Sequence, residues 1–449
     1  MSHVDIHGER TSLSDAAVAQ AWDRVLAGFL AHARSVPDDL ACVIEADPSF
    51  AQAHAARGLF SLSLARSEMV PVAREALKLA RQGRSNEREA AYVDALALWL
   101  EGNPAGAANR LDLLLRAFPG DAFAMKLVQA IRFMLGDAKG MLRSLQQIAP
   151  AYAGDHVARG YHDGCRAFAL EEIGDYGSAL THGTRAVERE PRDAWGLHAV
   201  AHVHDMMAAP RDGLHWLDTH SHVLDHCNNF AGHVWWHRAL MHLELGEHDA
   251  ALALYDAEVR ALKTDDFRDV ANASSLLARL SLEDVDVADR WDELADIGEA
   301  RAEDDTYTFA DLHTMLSLSG GSRPAARARM IAAMHGADRA THHGRIASDP
   351  GVALAQGIDA FAEGEYRRAH KLLFGTADAL PTIGGSHAQR DVFFRILIEA
   401  ALRAGSFGDA RTLLVQRRLQ RGGHVDAFDR ARSALAASPA TSSAQRSAA

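Results

Sequence analysis

The chain has 449 residues, 48% of them hydrophobic and 24% charged, which excludes wholesale disorder and provides enough apolar material for a core. Its 47 Lys and Arg against 60 Asp and Glu give a net charge of -13, which disfavours binding to nucleic acid and to anionic membrane surfaces. The three scattered cysteines, Cys42, Cys165 and Cys227, are too few for a disulfide framework or a thiolate zinc site.

The beginning of the sequence is polar, and no apolar run approaches the length of a membrane span. We therefore expect neither a signal peptide nor a membrane segment. Together with the cysteine usage, this predicts a cytoplasmic location in a reducing compartment.

One short phrase recurs along the chain, a glycine followed five places later by an alanine. Copies lie at 102–107, 174–179, 246–251, 364–369 and 405–410, and a degraded copy begins at Gly136. From Gly102 onward the first intervals are 34, 38 and 72 residues, and 41 residues separate the last two copies. Because 72 is two pitches of 36, the spacing predicts a hidden copy near residue 210.

The phrase has a simple structural interpretation. Glycine adopts the left-handed conformation that ends a helix, and the small alanine lets the next helix pack closely. Pro119 and Pro191, each twelve residues past the alanine of its copy, would end the second helix. The sequence predicts an all-α, tetratricopeptide-like α-solenoid, a superhelix of antiparallel helix pairs.

We expect one helical-repeat domain over residues 1–432. The clearest repeats lie at 48–260 and 350–425, and the phrase fades over 262–350, where atypical helices are expected. Residues 433–449 contain few bulky apolar side chains, which predicts a disordered tail.

Eleven of the 25 histidines fall between His198 and His248. His198 and His202 are four residues apart and Asp205 is three further on, so a helix projects all three from one stripe. His233 and His237 repeat the four-residue spacing on the next such helix. The repeat phase places both pairs on first helices, which line the concave face of a tetratricopeptide array.

By the same phase, His313 and the neighbours Arg390 and Asp391 also belong to first helices. A histidine-rich inner pocket follows as a hypothesis. With zinc or another divalent metal on His198, His202, His233 and His237, it can acidify a bound water. Without metal, histidines beside Asp205 can act as general acid and base, while Arg390 holds a carboxylate.

Other residues have a plainer structural interpretation. Histidines at helix interfaces are commonly packed residues that make one hydrogen bond, and this interpretation stays open for each pair. His204, His215, His220, His222 and His226 are expected on the surface or in turns, and Trp195, Trp216, Trp235 and Trp236 between helices. Gly384 and Gly385 predict a turn before a helix capped by Ser386. The sequence contains no HExxH or GxSxG motif.

These segments resemble the tetratricopeptide repeat protein 38 family. The resemblance rests on LHAVAHVHDM at 197–206, GHVWWHRAL at 232–240, FADLH at 309–313 and GGSHAQRDVF at 384–393, and it covers about 40–425. It implies a tetratricopeptide-like superhelix and a set of site residues: His198, His202, Asp205, His233, Trp236, His237, Asp311, His313, Gln389, Arg390 and Asp391. The family often has glutamate at 205, cysteine at 232 and asparagine at 310, where this chain has Asp205, Gly232 and Ala310.

Two functions are compatible with these patterns. In the first, His198, His202, Asp205, His233, His237 and His313 perform hydrolysis or a related acid–base step on a small polar or anionic ligand, which Trp236, Asp311, Gln389, Arg390 and Asp391 help to bind. In the second, the groove binds a peptide or a partner protein without catalysis. Peptide clamps use lysine, arginine and asparagine along first helices, whereas this groove is rich in histidine and acid, which favours the first function. The sequence does not determine the oligomeric state.

Overall fold

The computed structural model describes residues 3–437, which contain helices, turns and three isolated β-bridges but no β-strand. The predicted all-α class is confirmed. The α-helices in chain order are α1 (Ala16–Leu30), α2 (Val36–Ala46), α3 (Ala51–Leu62), α4 (Met69–Gln82), α5 (Glu87–Leu100), α6 (Pro104–Ala117), α7 (Ala122–Met134), α8 (Ala138–Ile148), α9 (Arg159–Glu172), α10 (Tyr176–Arg189), α11 (Ala194–Met206), α12 (Pro210–His220), α13 (Phe230–Glu244), α14 (His248–Leu254), α15 (Phe267–Leu282), α16 (Arg290–Arg301), α17 (Thr308–Gly320), α18 (Pro324–Gly336), α19 (His342–Ile346), α20 (Val352–Ala362), α21 (Tyr366–Leu373), α22 (His387–Arg403), α23 (Phe407–Gln420) and α24 (Ala427–Ala437). Segments of 3-10 helix lie at Ala149–Tyr152, Ser221–Leu224 and Phe374–Ile383, and π turns lie at Tyr255–Val259 and Ala347–Gly351.

The recurring glycines end helices in the left-handed conformation, as the sequence predicts. All six have φ between 66° and 86°: Gly102, Gly136, Gly174, Gly246, Gly364 and Gly405. In each intact copy, the alanine five places after the glycine is fully buried. These alanines are Ala107, Ala179, Ala251, Ala369 and Ala410. The phrase therefore marks a sharp helix end followed by a closely packed helix.

The hidden copy lies between α11 and α12 with its two residue types exchanged. Ala208 holds the left-handed position with φ 53°, and Gly213, five residues on, is the small residue, packed against Met241 and His204. In the segment where the phrase fades, Asp284 and Ser322 have φ of 58° and 56° after α15 and α17. Where a residue other than glycine adopts the left-handed conformation at a helix end, a search for recurring glycines misses that helix end.

Side-chain caps begin many of these helices. The capping residues are Asp15, Asn86, Asn103, Asp121, Asp137, Asp175, Asp266, Thr341 and Ser386. The predicted turn before α22 is confirmed, since Gly384 and Gly385 have φ of 88° and 75° and Ser386 forms a capping box with Gln389.

Helices that are neighbours in the chain pack together, and alternate helices also touch. Thus α9 packs on α11, α11 on α13, α13 on α15 and α15 on α17, and α22 then folds back against α15 and α11. The amino-terminal part meets the later helices directly, because Asn228 N–H donates to the His32 carbonyl at 2.8 Å and Thr306 Oγ1 donates to the Ala65 carbonyl at 2.7 Å. This closure brings residues from distant parts of the chain to the faces of α11 and α13.

The boundaries differ from the expected ones at the carboxyl end. Helix α24 continues to Ala437, so residues 433–437, placed in the tail by the sequence, are helical. The rest of the expected tail, 438–449, lies outside the described residues. Residues 262–350 form α15 to α19, and three of the joints contain left-handed residues, namely Asp284 and Ala288, Asp305, and Ser322. Cys42, Cys165 and Cys227 are all free thiols. No helix within residues 3–437 has both the length and the apolar character required to cross a bilayer.

A buried ion network holds α22, α23 and α24 together, and its centre is testable. Arg417, 1% exposed, donates from Nε to Asp391 Oδ1 at 2.6 Å and from Nη1 to Asp426 Oδ1 at 2.9 Å. Arg417→Met removes the guanidinium shared by two buried carboxylates, and Asp426 then keeps longer arginine contacts of 3.5 and 3.7 Å, with Arg395 and Arg421. We therefore expect the free energy of unfolding in urea to fall by about 3–5 kcal/mol. Arg24→Met removes an exposed pair with Asp39 and should change it by less than about 1 kcal/mol. Equal small effects in the two variants would contradict a central role for Arg417.

Candidate functional site

The two histidine pairs meet between α11 and α13. The ring centroids of His198 and His202 are 4.4 Å apart, and those of His202 and His237 are 4.2 Å apart. His233 lies 4.8 Å from His198 and 4.9 Å from His237, which completes the group. We call these four residues the histidine tetrad. His198, His202 and His237 are buried, and His233 is partly exposed.

Few hydrogen-bond partners reach the tetrad. His233 Nδ1 lies 2.8 Å from Asn272 Oδ1, an acceptor, so Nδ1 carries the proton and Nε2 keeps a lone pair. That Nε2 lies 3.0 Å from Nε2 of His198. Both ring nitrogens of His202 and of His237, and Nδ1 of His198, have no hydrogen-bond partner in the protein. Buried polar atoms are normally paired, so this many ring nitrogens without hydrogen-bond partners in one place indicate a ligand-binding site.

The electrostatics keep most of the tetrad neutral. Burial, together with the neighbouring imidazoles, holds the pKa of His198 and of His237 well below the ordinary value, and burial lowers the pKa of His233 to about 3. Burial alone would also lower the pKa of His202, but the Glu171 carboxylate raises it above the usual value. A neutral imidazole with a free lone pair is the form that binds a metal.

The tetrad has the donor set of a transition-metal site. One nitrogen from each of the four rings lies within 4.8 Å of the other three. In a tetrahedral zinc site with Zn–N distances of about 2.0–2.1 Å, ligand nitrogens lie ~3.3 Å apart. The two Nε2 atoms of His198 and His233 are 3.0 Å apart, already close to that spacing.

Two residues that the sequence did not single out support the tetrad. Glu171, on α9, places Oε2 3.6 Å from His202 Nδ1, and neither of its carboxylate oxygens has a hydrogen-bond partner. Asn272, on α15, orients His233. A carboxylate or amide behind a histidine fixes the ring and makes it a better ligand. Glu171 could have been found in the sequence from the acidic pair at 171–172, which lies just before the glycine–alanine copy at 174–179.

Asp205 and His313 lie away from the tetrad. Asp205 is one turn beyond His202, where its Oδ1 lies 3.5 Å from Arg421 Nη2, so it does not orient the imidazoles. His313 packs between Phe309 and Phe393, at centroid distances of 4.2 and 4.8 Å. The reason is topological, since α17 packs on α15 and not on α11 or α13.

The expected anion clamp is engaged inside the fold. Arg390 donates to the carbonyls of Gly384 and Gly385 and lies 3.2 Å from Glu172 Oε2. Asp391 is bound by Arg395 and Arg417, and Gln389 completes the cap of α22. These side chains hold the start of α22 in place, because a turn of two left-handed glycines leaves carbonyls that need donors.

Trp236 and Asp311 have separate surroundings. Trp236 is buried, stacks on His233 at 5.2 Å and donates from Nε1 to Ser275 Oγ at 3.1 Å, so it forms a wall of the tetrad. Asp311 lies with Asp305 and His343 in a second group of potential ligands. Burial raises the pKa of Asp311 to about 7.

A cavity of about 200 Å³ lies next to the tetrad, behind the Trp236 ring. Its lining includes Asp205, Glu244, Arg279 and Asp391 and none of the tetrad residues. Arg279 is buried beneath Trp236, 5.4 Å from the ring centroid, and donates to the carbonyls of Ser275 and Ala388. Of the predicted site residues, Asp205 and Asp391 therefore line a cavity separate from the tetrad, and Arg390 does not line it.

None of the histidines predicted on the surface or in turns is buried, and His215 and His222 are exposed. Trp195, Trp216 and Trp235 pack at the edges of the cores, as expected. No protein-family model matches the sequence.

The titration of His313 is a direct check on its burial. Burial lowers its pKa to about 3, so in the folded state it resists the proton that the unfolded chain accepts below pH 6.5. Its contribution to stability is complete above pH 6.5 and declines as the pH falls toward 3. Between pH 7.5 and 5.0, the wild type should lose about 2 kcal/mol more unfolding free energy than His313→Phe.

Urea titrations at the two pH values measure that difference. The exposed residue His215 provides the matched control, since His215→Phe should keep the wild-type pH dependence. If His313→Phe also keeps the wild-type pH dependence, His313 has an ordinary pKa and its burial does not exclude the proton.

Proposed function

We propose that this chain is a helical-repeat metalloprotein that binds a divalent transition metal, zinc foremost, through His198, His202, His233 and His237. The observation that carries the proposal is the convergence of four imidazoles whose nitrogens have almost no partners in the protein. A divalent cation would satisfy these lone pairs together, and nitrogen donors select zinc and its neighbours over magnesium or calcium.

We further propose a tetratricopeptide-like solenoid and membership of the tetratricopeptide repeat protein 38 family. The left-handed glycines at a pitch near 36 residues and the packing of alternate helices support the solenoid. The motifs around the tetrad and around Arg390 support the family. In this arrangement α9, α11, α13 and α15 are first helices that face the concave side.

The reaction that suits such a centre is hydrolysis of a small anionic substrate. Three tetrad ligands are buried, and His233 is partly exposed, so it is the ligand best placed to yield a coordination position to water or substrate. A metal in this position lowers the pKa of bound water and polarises a carbonyl or phosphoryl oxygen. Glu171 would hold His202 in its ligating orientation.

Metal analysis tests the binding step. Protein made without a histidine tag, stripped with a chelator and reconstituted with zinc, should retain about one equivalent per chain after desalting, because the donor set is preformed. His198→Ala/His233→Ala should retain less than about 0.2 equivalents while its circular dichroism stays helical. The control variant His215→Ala/His222→Ala changes two exposed histidines of the same region and should bind like the wild type. Equal retention in both double variants would rule out the tetrad.

Glu171→Gln tests the carboxylate behind His202. The variant keeps the shape of the side chain but loses its charge, so we expect the zinc dissociation constant from competition with a chromogenic chelator to rise about 10- to 100-fold. Glu188→Gln, at an exposed position on α10, should leave affinity unchanged. Unchanged affinity in Glu171→Gln would show that Glu171 does not act on the metal.

A panel of nitrophenyl esters and phosphates tests the hydrolytic step. The zinc-loaded wild type should hydrolyse at least one member, and both the stripped protein and the tetrad double variant should not. Metal retention with no turnover of any member would contradict hydrolysis and leave metal binding standing. A single stoichiometric protein partner together with no metal retention would instead favour a peptide-binding adaptor.

A further inference from the structure

A buried lysine lies beside the tetrad without a counterion. Lys126, on α7, is 6% exposed, and its Nζ has no hydrogen-bond partner in the protein. Nζ lies over the face of Trp195, 4.6 Å from the ring centroid. An ammonium held away from water with only an aromatic face loses much of its solvation, so it attracts an anion strongly.

Two further polar groups are open at the same place. Trp195 Nε1 and His32 Nδ1 are buried and have no hydrogen-bond partner. Their rings stack at 5.7 Å with an interplanar angle of 8°, and His32 stacks on Phe230 at 4.5 Å. The chain closure between His32 and Asn228 holds this stack. Three separate helical regions thus supply a cation, an indole donor and an imidazole to one location.

The nearest acid does not neutralise the lysine by direct contact. Asp193, the residue before α11, is fully buried and packs against Gly164 and Gly196, and its carboxylate oxygens have no side-chain partner. Burial raises the pKa of Asp193 to about 7, although Lys126 opposes the shift. Near neutral pH, a substantial fraction of Asp193 is therefore uncharged, and Lys126 supplies the local positive charge.

This location adjoins the tetrad. The Trp195 ring lies 5.0 Å from His198, and Phe230 lies 5.2 Å from His198 and 5.6 Å from His233. The ring of Trp195 thus contacts both the Lys126 ammonium and the His198 imidazole. His233, the partly exposed ligand, is on the Phe230 side, so a small molecule could touch both regions.

We propose that Lys126, Trp195 and His32 form an oxyanion subsite that holds the carboxylate or phosphate group of a small substrate beside the tetrad. This assignment of a substrate class rests on the proposed function for its catalytic meaning, but the binding of the anion does not depend on the metal. The subsite takes over the role that the sequence analysis gave to Arg390, whose guanidinium is engaged within the fold.

Anion-dependent stabilisation tests the subsite. The melting temperature of the full chain is measured against increasing sodium phosphate and, separately, sodium acetate, with sodium chloride at matched ionic strength as the reference. The wild type should show saturable stabilisation by at least one of the two oxyanions, because a ligand that binds only the folded state stabilises it. Stronger stabilisation by phosphate would indicate a phosphate-bearing substrate, and stronger stabilisation by acetate would indicate a carboxylate.

Two variants locate the effect. Lys126→Met removes the charge and keeps an apolar side chain, so the apparent anion dissociation constant should rise roughly 10- to 100-fold. Trp195→Phe keeps an aromatic ring and removes the N–H donor, so a smaller rise, of roughly 3- to 10-fold, is expected. Lys139→Met, at an exposed position on α8, is the matched control and should respond like the wild type.

The metal and the anion are separable in the same assay. His198→Ala/His233→Ala should keep its oxyanion response, and Lys126→Met should keep its zinc. A wild type that retains no zinc but shows a saturable oxyanion response would rule out the proposed metal centre and leave the subsite. The subsite is overturned if the wild type shows no saturable response to either oxyanion, or if neither Lys126→Met nor Trp195→Phe weakens it.

Discussion

The packing of α11 on α13 imposes the constraint on which the candidate site depends. Each helix carries two histidines one turn apart, so close contact between the helices forces four imidazoles into one small volume. Aromatic side chains surround the rings, Asn272 hydrogen-bonds His233, and Glu171 lies beside His202. A cation between the four rings would satisfy the nitrogen lone pairs that have no donor in the protein.

The surrounding fold explains why these groups stay where they are. Left-handed residues end the helices sharply, and small residues five places later allow the next helix to approach. Alternate helices such as α9, α11 and α13 therefore stay in contact. Arg390 and Arg417 anchor the start of α22 and its neighbours, so α22 can pack against α11 and α15. The anchoring arginines thereby support the wall of the tetrad without touching it.

Periodicity in the sequence was enough to predict the all-α class, the helix ends at six glycines and the pairing of His198 and His202 with His233 and His237. It located the joint near residue 210 but not Ala208 as its left-handed residue. It did not predict Asp284 or Ser322 as helix ends, because residues other than glycine give no distinct signal there. Periodicity also grouped Asp205, His313 and Arg390 with the tetrad. It predicts which face of a helix a residue occupies, but neither the position of the residue along the helix axis nor the helix that packs against it. Lys126 and His32 are far from α11 in the sequence. Helix α7 carries Lys126 to Trp195, and the hydrogen bond between the backbones of Asn228 and His32 holds His32 beside the same ring.

The site divides into two chemically different parts. The tetrad offers neutral nitrogen bases, and Lys126 with Trp195 offers hydrogen-bond donors and a positive charge. Such a division suits a substrate with an anionic end and a polarisable oxygen, because each end finds its complement.

X-ray absorption at the zinc edge of the reconstituted protein shows directly whether the histidine tetrad binds zinc. Four nitrogen scatterers at about 2.0 Å with the outer-shell pattern of imidazole are expected, and a shell of six oxygens or one containing sulfur would contradict binding by the tetrad.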